Sequence, residues 1–257
     1  MISYEQIGGM ALGSVVAVVS GKGGTGKTSV CAGLSIALAA EGKRVLTIDC
    51  DVGLRNLDIS LGLTDSGTLS FLDVSEGGYT LQQAPRHPEF PTLTFLTAPM
   101  NRPIDRVDAG KFAEMLHNAR PLFDYILLDA PAGVDTGFQL VSQVADRFLV
   151  VTGFGPAAIR DAARVGELLE LKGKTDVRLI VNRVSRNMLS LLKMTVDDIM
   201  DRSGLPLIGV VLEDADVPLA AACGMSLLRY SRRSYAAVAF QKIAKRIQGF
   251  NQPITLR

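Results

Sequence analysis

Residues 15–28 read VVAVVSGKGGTGKT, and this stretch decides the fold. Its first part, VVAVVS at 15–20, is short, apolar and rich in valine, which is typical of a buried β-strand. Residues 28–41 then repeat apolar side chains at helical spacing, and Gly42 supplies the stop that ends a helix. The loop between them, GKGGTGKT at 21–28, fits G-x-x-x-x-G-K-[ST] in the strand–loop–helix context that this pattern requires.

The loop at 21–28 has the chemistry of a phosphate-binding loop. Its glycines let successive backbone N–H groups point inward, and the start of the following helix adds the positive end of a dipole. Lys27 is expected to bridge the β- and γ-phosphates of a nucleotide, and the Thr28 hydroxyl is expected to bind Mg²⁺. The predicted nucleotide contacts in this part of the chain are Gly21, Lys22, Gly23, Gly24, Thr25, Gly26, Lys27, Thr28 and Ser29.

Apolar runs and helical stretches alternate through the rest of the chain. Strands are predicted at 44–49, 92–97, 125–129, 147–152, 177–181 and 206–211, and helices at 108–118, 136–145, 156–171 and 194–203. Near-continuous apolar strands separated by helices are typical of a parallel sheet covered on both faces. We therefore predict an α/β fold with a doubly wound, mostly parallel sheet flanked by helices. It forms a single domain over 1–257, with an extra N-terminal segment (1–13) and a short C-terminal tail (250–257).

Composition and charge exclude several classes of protein. The 27 basic and 26 acidic residues leave a net charge of +1, which provides no general field for nucleic acid or an acidic membrane. The scattered Cys31, Cys50 and Cys223 form neither a disulfide framework nor a zinc motif. No apolar run approaches the roughly 20 residues that span a bilayer, so we expect a cytoplasmic protein. Both histidines, His87 and His117, lie away from the motifs and are predicted at the surface.

Aspartates follow two of the predicted strands, where open α/β sheets place ligand chemistry. Asp49 and Asp51 stand two residues apart, so on a regular strand both would face the nucleotide. One carboxylate is suited to hold the water shell of Mg²⁺ while the other orients the attacking water. An Asp at a strand end also commonly caps a helix or forms a turn. Asp129 ends another apolar strand. An aspartate at a strand end is a weak sign of a metal site by itself and becomes a strong one only together with the phosphate loop.

Residues 22–28, KGGTGKT, resemble the deviant Walker A motif of the MinD/ParA ATPases. DCDVGLRNLD at 49–58, followed by Leu61 and Gly62, is similar to the switch I segment of the MinD branch of that family. The resemblance covers about residues 15–249. It implies a P-loop NTPase fold of the MinD/ParA type, ATP and Mg²⁺ as cofactors, hydrolysis of ATP to ADP and phosphate, and a homodimer in the ATP state.

The resemblance also implies roles for single residues of the phosphate side. Lys22 would reach across the dimer to the partner's phosphates and act as an arginine finger does in trans. Asp51 would position the hydrolytic water, which gives Lys22, Lys27 and Asp51 as the catalytic set. Thr28, Asp49 and Asp129 are the expected metal-side residues. DAPAG at 129–133 resembles the Walker B and switch II segment, and there the Gly133 N–H would sense the γ-phosphate.

A second set of residues is implied on the adenine side. Asn182 and Arg183 look like the Asn-Arg pair of the family. Glu213 and Asp214 match its Pro-Glu-Asp segment, which packs on the base, although Leu212 replaces the proline. This departure puts the contacts of that segment in doubt.

The implied function is an ATP-driven dimerisation switch in division-site (septum) placement, with a MinE-like activator and a MinC-like inhibitor. Arg160 and Asp161 open the stretch where the MinD branch carries an Arg-Asp pair at its partner face; a solvated charge pair is the other interpretation. The alternative function is a ParA-type or flagellar-placement ATPase acting on DNA or on a protein partner. DNA binding needs a basic surface, and the candidates form no dense cluster: Arg183, Arg186, Lys193, Arg232 and Arg233. An iron–sulfur relative is rejected because the cysteines offer no ligand set.

The stretch at 240–250 allows two interpretations. Its apolar side chains recur at helical spacing beside basic residues, which suits either a membrane surface or the last helix of the core. We favour the core. The tail at 250–257 contains Pro253 and one basic residue, so it is a poor membrane anchor. Peripheral association with the cytoplasmic face of the cell membrane is therefore the alternative location.

Overall fold

The computed structural model describes residues 12–52, 55–63, 69–100 and 102–254, except the side chains at 186 and 188. Within them, seven strands pair in parallel in one sheet, in the order β3-β2-β4-β1-β5-β6-β7. The predicted α/β class is confirmed. The strands are β1 (Ser14–Val19), β2 (Val45–Asp49), β3 (Leu93–Leu96), β4 (Tyr125–Asp129), β5 (Arg147–Thr152), β6 (Val177–Val184) and β7 (Leu207–Leu212).

Helices cover both faces of this sheet, because successive side chains of each strand point to opposite sides. In β1, Val15 and Val19 belong to one apolar core and Val16 and Val18 to the other. The helices are α1 (Lys27–Ala40), α2 (Leu57–Leu61), α3 (Phe71–Ser75), α4 (Ala109–Ala119), α5 (Thr136–Val144), α6 (Pro156–Leu171), α7 (Arg186–Leu191), α8 (Val196–Ser203), α9 (Asp216–Ala222), α10 (Leu227–Tyr230) and α11 (Tyr235–Ile247). The helices α1, α2, α9, α10 and α11 lie on the second face.

The predicted elements are recovered with small shifts at their ends. The helix predicted at 156–171 coincides with α6. β6 runs three residues past its predicted end at 181, because its pairing with β7 shifts register between Val181 and Val184 and then resumes. The tail beyond 254 and most of the segment before 14 lie outside the described residues, so the single-domain prediction stays a prediction.

The β3 edge of the sheet is covered by a short segment of the chain itself. Residues 85–87 run antiparallel to β3, with Arg86 opposite Thr94. The Phe95 N–H donates to the Pro85 carbonyl at 3.1 Å, and the His87 N–H donates to the Leu93 carbonyl at 2.8 Å. The outward N–H of Phe95 and the outward carbonyl of Leu93 therefore have partners.

The β7 edge is covered through one arginine. The Arg246 guanidinium donates to the carbonyl of Ile208 in β7 at 2.6 Å. It also donates to the carbonyls of Gln252 and Pro253, at 3.0 Å and 2.8 Å. Arg246 thus ties residues 250–254 to the edge strand.

The apolar stripe of α11 belongs to the core, as we favoured. Phe240, Ile243 and Ile247 are buried among the helices of the second face, whereas Phe250 is 59% exposed. No helix in the described part of the chain combines the length and the apolar character needed to cross a membrane.

The surface position predicted for His87 is wrong, since its side chain is 2% exposed. Its Nδ1 accepts the N–H groups of Glu89 and Phe90, at 3.1 Å and 3.3 Å. Nε2 therefore carries the proton and donates to the Leu61 carbonyl at the end of α2, at 2.9 Å. This set of hydrogen bonds requires the neutral ring.

Acidification is expected to destabilise the fold through His87. Burial lowers the pKa of His87 below its usual 6.5, so the folded protein binds fewer protons than the unfolded chain. The contribution of His87 to the free energy of unfolding is fully present above pH 6.5, the pKa in the unfolded chain. It is lost as the pH falls through the lower pKa of the folded state. We expect urea unfolding at about pH 8 and about pH 5 to show a smaller pH dependence for His87→Gln than for the wild type. Equal dependence in the two proteins would contradict this role.

Candidate nucleotide-binding site

The ends of the parallel strands bring the predicted motifs to one edge of the sheet. The loop at 20–26 joins β1 to α1, and α1 begins at Lys27, one residue earlier than predicted. Gly24 and Gly26 have φ angles of 79° and 82°, a region that side chains with a Cβ rarely adopt. A Cβ at Gly26 would also lie 2.3 Å from Nδ2 of Asn182. The loop therefore needs glycine at 26 for both conformation and space.

Asn182, on β6, bonds the backbone of the phosphate loop. Its Nδ2 donates to the Thr25 carbonyl at 2.8 Å, and its side chain is buried. The neighbouring Arg183 has a φ of 56°, and its guanidinium lies 3.5 Å from the Gly24 carbonyl. The structure thus brings the predicted adenine-side pair to the loop, and Oδ1 and the second N–H of the Asn182 amide are left for a base.

A buried ion pair joins the loop to β4. Lys27 Nζ lies 3.0 Å from Oδ1 of Asp129, and the lysine side chain is 6% exposed. Burial raises the pKa of Asp129, while the charge of Lys27 and a hydrogen bond from Thr28 oppose the rise. Among the described residues, the buried Oδ2 of Asp129 and Oγ1 of Thr25 have no hydrogen-bond partner. Buried polar atoms of this kind mark a place where a ligand is expected.

Asp49 organises the segment that follows β2. Its Oδ1 accepts the Asp51 N–H at 2.9 Å, and its Oδ2 accepts the N–H of Leu57, the first residue of α2, at 3.3 Å. Burial, followed by the charge of Asp129, raises the pKa of Asp49 to about 7. Asp49 therefore fills the turn and capping role that an aspartate at a strand end commonly has.

The idea that Asp49 and Asp51 share one face of a regular strand is wrong. β2 ends at Asp49, and the chain then turns so that the backbone of Asp51 bonds the carboxylate of Asp49. Asp51 is half-buried. Burial raises the pKa of its carboxyl, and the nearby charge of Lys27 opposes that rise. Gly53 and Leu54 of the same segment lie outside the described residues.

The N–H of Gly133 is bonded within the chain in this structure, and its role as a sensor of the γ-phosphate stays a prediction. It donates to the Ser20 carbonyl at 2.9 Å, and Gly133 has a φ of 93°. A γ-phosphate would have to replace that carbonyl as the acceptor. Contact between switch II and the end of β1 was not visible in the sequence.

Lys22 stands at the solvent side of the loop. It is exposed, and no ion pair to it is found within the described ranges. Its carbonyl accepts the Ser20 hydroxyl at 3.0 Å, which fixes the backbone there. The preceding Gly21 packs on α6, where a Cβ would lie 2.6 Å from the Asp161 carbonyl. This contact was not predictable from the sequence, because no local pattern links residues 21 and 161.

A cavity of about 510 Å³ opens beside the loop. Its polar mouth is lined by Gly26, Ser29, Asn182, Arg183, Glu213 and Asp214. Glu213 Oε1 lies 3.8 Å from the Arg183 guanidinium across this mouth. The Asp214 carboxylate instead accepts the N–H groups of Asp216 and Ala236, so it fixes the starts of α9 and α11. Leu212, which replaces the family's proline, ends β7 and lines the same cavity.

The oxygen atoms around Lys27 fit Mg²⁺ together with a nucleotide. The described residues contain no group of three His, Cys, Asp or Glu side chains placed to hold a metal by themselves. Mg²⁺ usually keeps several waters and binds through one or two protein oxygens plus substrate phosphates. Oδ2 of Asp129 and the Thr28 hydroxyl provide such oxygens. Asp49 lies close enough to Asp129 for the charge of Asp129 to raise the pKa of Asp49.

Comparison with known proteins agrees with this geometry. Residues 16–227 match the model of the CobQ/CobB/MinD/ParA nucleotide binding domain. The septum site-determining protein MinD of Synechocystis sp. is 38% identical over 241 residues, which cover 93% of this chain and 91% of that protein.

Solved structures give the same result. A chain of the MinC:MinD cell division protein complex of Aquifex aeolicus has a TM-score of 0.86 at 33% identity, covering 94% of this chain and 98% of that one. The septum site-determining protein MinD of Pyrococcus horikoshii, complexed with Mg-ADP, has a TM-score of 0.81 at 29% identity, covering 92% and 96%. The chain therefore belongs to the CobQ/CobB/MinD/ParA family of nucleotide-binding ATPases and, within it, to the septum site-determining MinD branch.

Proposed function

We propose that this protein is a Mg-ATP-dependent dimerisation switch that hydrolyses ATP in division-site placement. The observation that carries the proposal is the buried Lys27–Asp129 pair at the end of a glycine-rich loop, with Asp51 close enough for its charge to act on Asp129. A lysine and carboxylates at the end of such a loop are the parts that phosphoryl transfer to water requires. The relatives described above are MinD proteins, which favours septum placement over the ParA-type and flagellar alternatives.

Lys27 and Asp129 exchange partners when the nucleotide enters. Phosphate oxygens would attract Lys27 away from Oδ1 of Asp129, and both carboxylate oxygens of Asp129 would then be free of the lysine. Bound Mg²⁺ would neutralise charge on the β- and γ-phosphates. Asp51, held by the carboxylate of Asp49, orients the attacking water. The Gly133 N–H changes acceptor from the Ser20 carbonyl to the γ-phosphate.

The exposed Lys22 supports a role between two protomers. Lys22 lies on a loop suited to bind anions, yet it has no charge partner within the described ranges. The phosphates of a second nucleotide would supply that negative charge. We propose that Lys22 stabilises the transition-state charge of the partner's ATP, so that the dimer is the ATP state. The MinC:MinD structure supports a MinC-like inhibitor as a further partner, and a MinE-like activator completes the proposed cycle.

Light scattering in ATP and in ADP tests the switch. The wild type is expected to dimerise in ATP alone, and Lys22→Ala is expected to stay monomeric in both nucleotides. Lys172→Ala, which removes an exposed lysine from the end of α6, is the matched control and should behave as the wild type. A persistent Lys22→Ala dimer would overturn the role in trans. A wild type without an ATP-dependent dimer would overturn the switch itself.

A further inference from the structure

The cavity beside the phosphate loop extends far beyond its polar mouth. Its wall along α1 runs from Gly26 to Ala37, which is roughly 16 Å at about 1.5 Å per residue. We call its far end the inner chamber; it is lined by Gly33, Ile36, Ala37, Ala220, Leu227 and Phe240. All six residues are apolar or glycine, and five of them are buried. The inner chamber thus has an apolar and mostly buried lining, whereas the mouth is charged.

Small side chains on facing helices explain why this space exists. Ala37 on α1 faces Ala220 on α9 and Ala237 on α11, and none of them is large enough to fill the gap. Gly33 lets α1 approach α11 closely, since a Cβ there would lie 2.2 Å from the Phe240 ring.

The volume and the lining of the cavity determine which kind of ligand fits it. Small-molecule sites commonly measure about 300–1,000 Å³, and the whole cavity measures about 510 Å³. In the proposed function, a nucleotide held by the phosphate loop would place its base at the mouth, which Gly26 and Asn182 line. Enclosed apolar space in proteins stays dry and binds molecules such as benzene.

We propose that the inner chamber is a second ligand site, for an uncharged aromatic or apolar small molecule that binds next to the nucleotide base. The proposal rests on the proposed function only for the position of the nucleotide. The ligand needs no charged group, because the charged side chains of the cavity lie at the mouth.

Indole is a suitable probe because the chain contains no tryptophan, so indole fluorescence has no tryptophan background. The full-length protein is titrated into indole with and without saturating Mg-ADP. We expect a saturable blue shift in both conditions, with one indole bound per protomer. Loss of the blue shift when ADP saturates the protein would mean that indole occupies the base site, and the proposal would fail.

Two variants that fill the inner chamber give the second test. Ala37→Leu and Ala220→Leu are each expected to weaken indole binding at least about tenfold while leaving ADP affinity unchanged. Ala222→Leu adds the same side chain at an exposed position of α9 and should bind indole as the wild type does. Unchanged indole binding in both filled variants overturns the proposal. Failure of the proposed function would appear separately, as a wild type that does not bind ADP.

Discussion

Lys27→Met is expected to lower ATP hydrolysis by about 10²–10³-fold, because it removes a cation aimed at the transferred phosphoryl group. It is also expected to lower the free energy of unfolding of the nucleotide-free protein by roughly 3 kcal/mol. The physical reason is that Asp129, buried behind the loop, loses the ammonium that lies 3.0 Å away. Urea unfolding and phosphate release measure the two effects separately.

A second substitution distinguishes the lost ion pair from lost packing. Adding Asp129→Asn to Lys27→Met removes the unpaired carboxylate and should restore most of the stability without restoring hydrolysis. Arg164→Met breaks the exposed pair with Glu167 and should cost less than about 1 kcal/mol. If Arg164→Met destabilised the protein as much as Lys27→Met, the importance given to the buried pair would be wrong.

Asp51→Asn is expected to stop hydrolysis while leaving ATP binding intact. The amide keeps the shape of the side chain, yet it cannot accept a proton from water, a contribution worth about 10²–10⁴-fold. The backbone bond from Asp51 to Asp49 is unaffected, so the segment stays in place. The ATP dimer should therefore persist in light scattering while the wild-type dimer decays as its ATP is consumed.

Asp105→Asn is the matched control for this prediction. Asp105 is exposed on a short 3₁₀ turn, and its change should alter neither hydrolysis nor the lifetime of the dimer. If Asp51→Asn hydrolysed ATP at the wild-type rate, Asp51 would not be the residue that positions the water. Rapid decay of its ATP dimer would lead to the same conclusion.

The strands and the phosphate loop were predictable because their signals are local. Seven apolar runs became seven parallel strands, and the glycines at 24 and 26 adopt the positive φ angles that such a loop requires. The helices α2, α9 and α10 were not predicted, since four to seven residues are too few to show a helical period. α9 and α10 nevertheless form a wall of the cavity.

The parts of the site that the sequence did not reveal depend on long-range contacts. The Gly133 N–H meets the Ser20 carbonyl only because β4 lies next to β1. Asp49 accepts the Leu57 N–H because the chain turns back after β2, and no sequence pattern predicts that turn. The buried His87 side chain bonds the Leu61 carbonyl, which lies 26 residues away in the sequence. The roles of the adenine-side residues stay predictions, and the resemblance was their source.

At both edges of the sheet the chain's own atoms occupy backbone groups that an added strand would need. An exposed edge strand offers unpaired backbone groups that a second chain can extend, which leads to aggregation and fibrils. The segment at 85–87 occupies those groups on β3, and Arg246 bonds the Ile208 carbonyl on β7. Polymerisation through the backbone is thereby opposed at two places. Two copies of the protein are then left to associate through their side chains. A bound nucleotide can change the charge at such a contact.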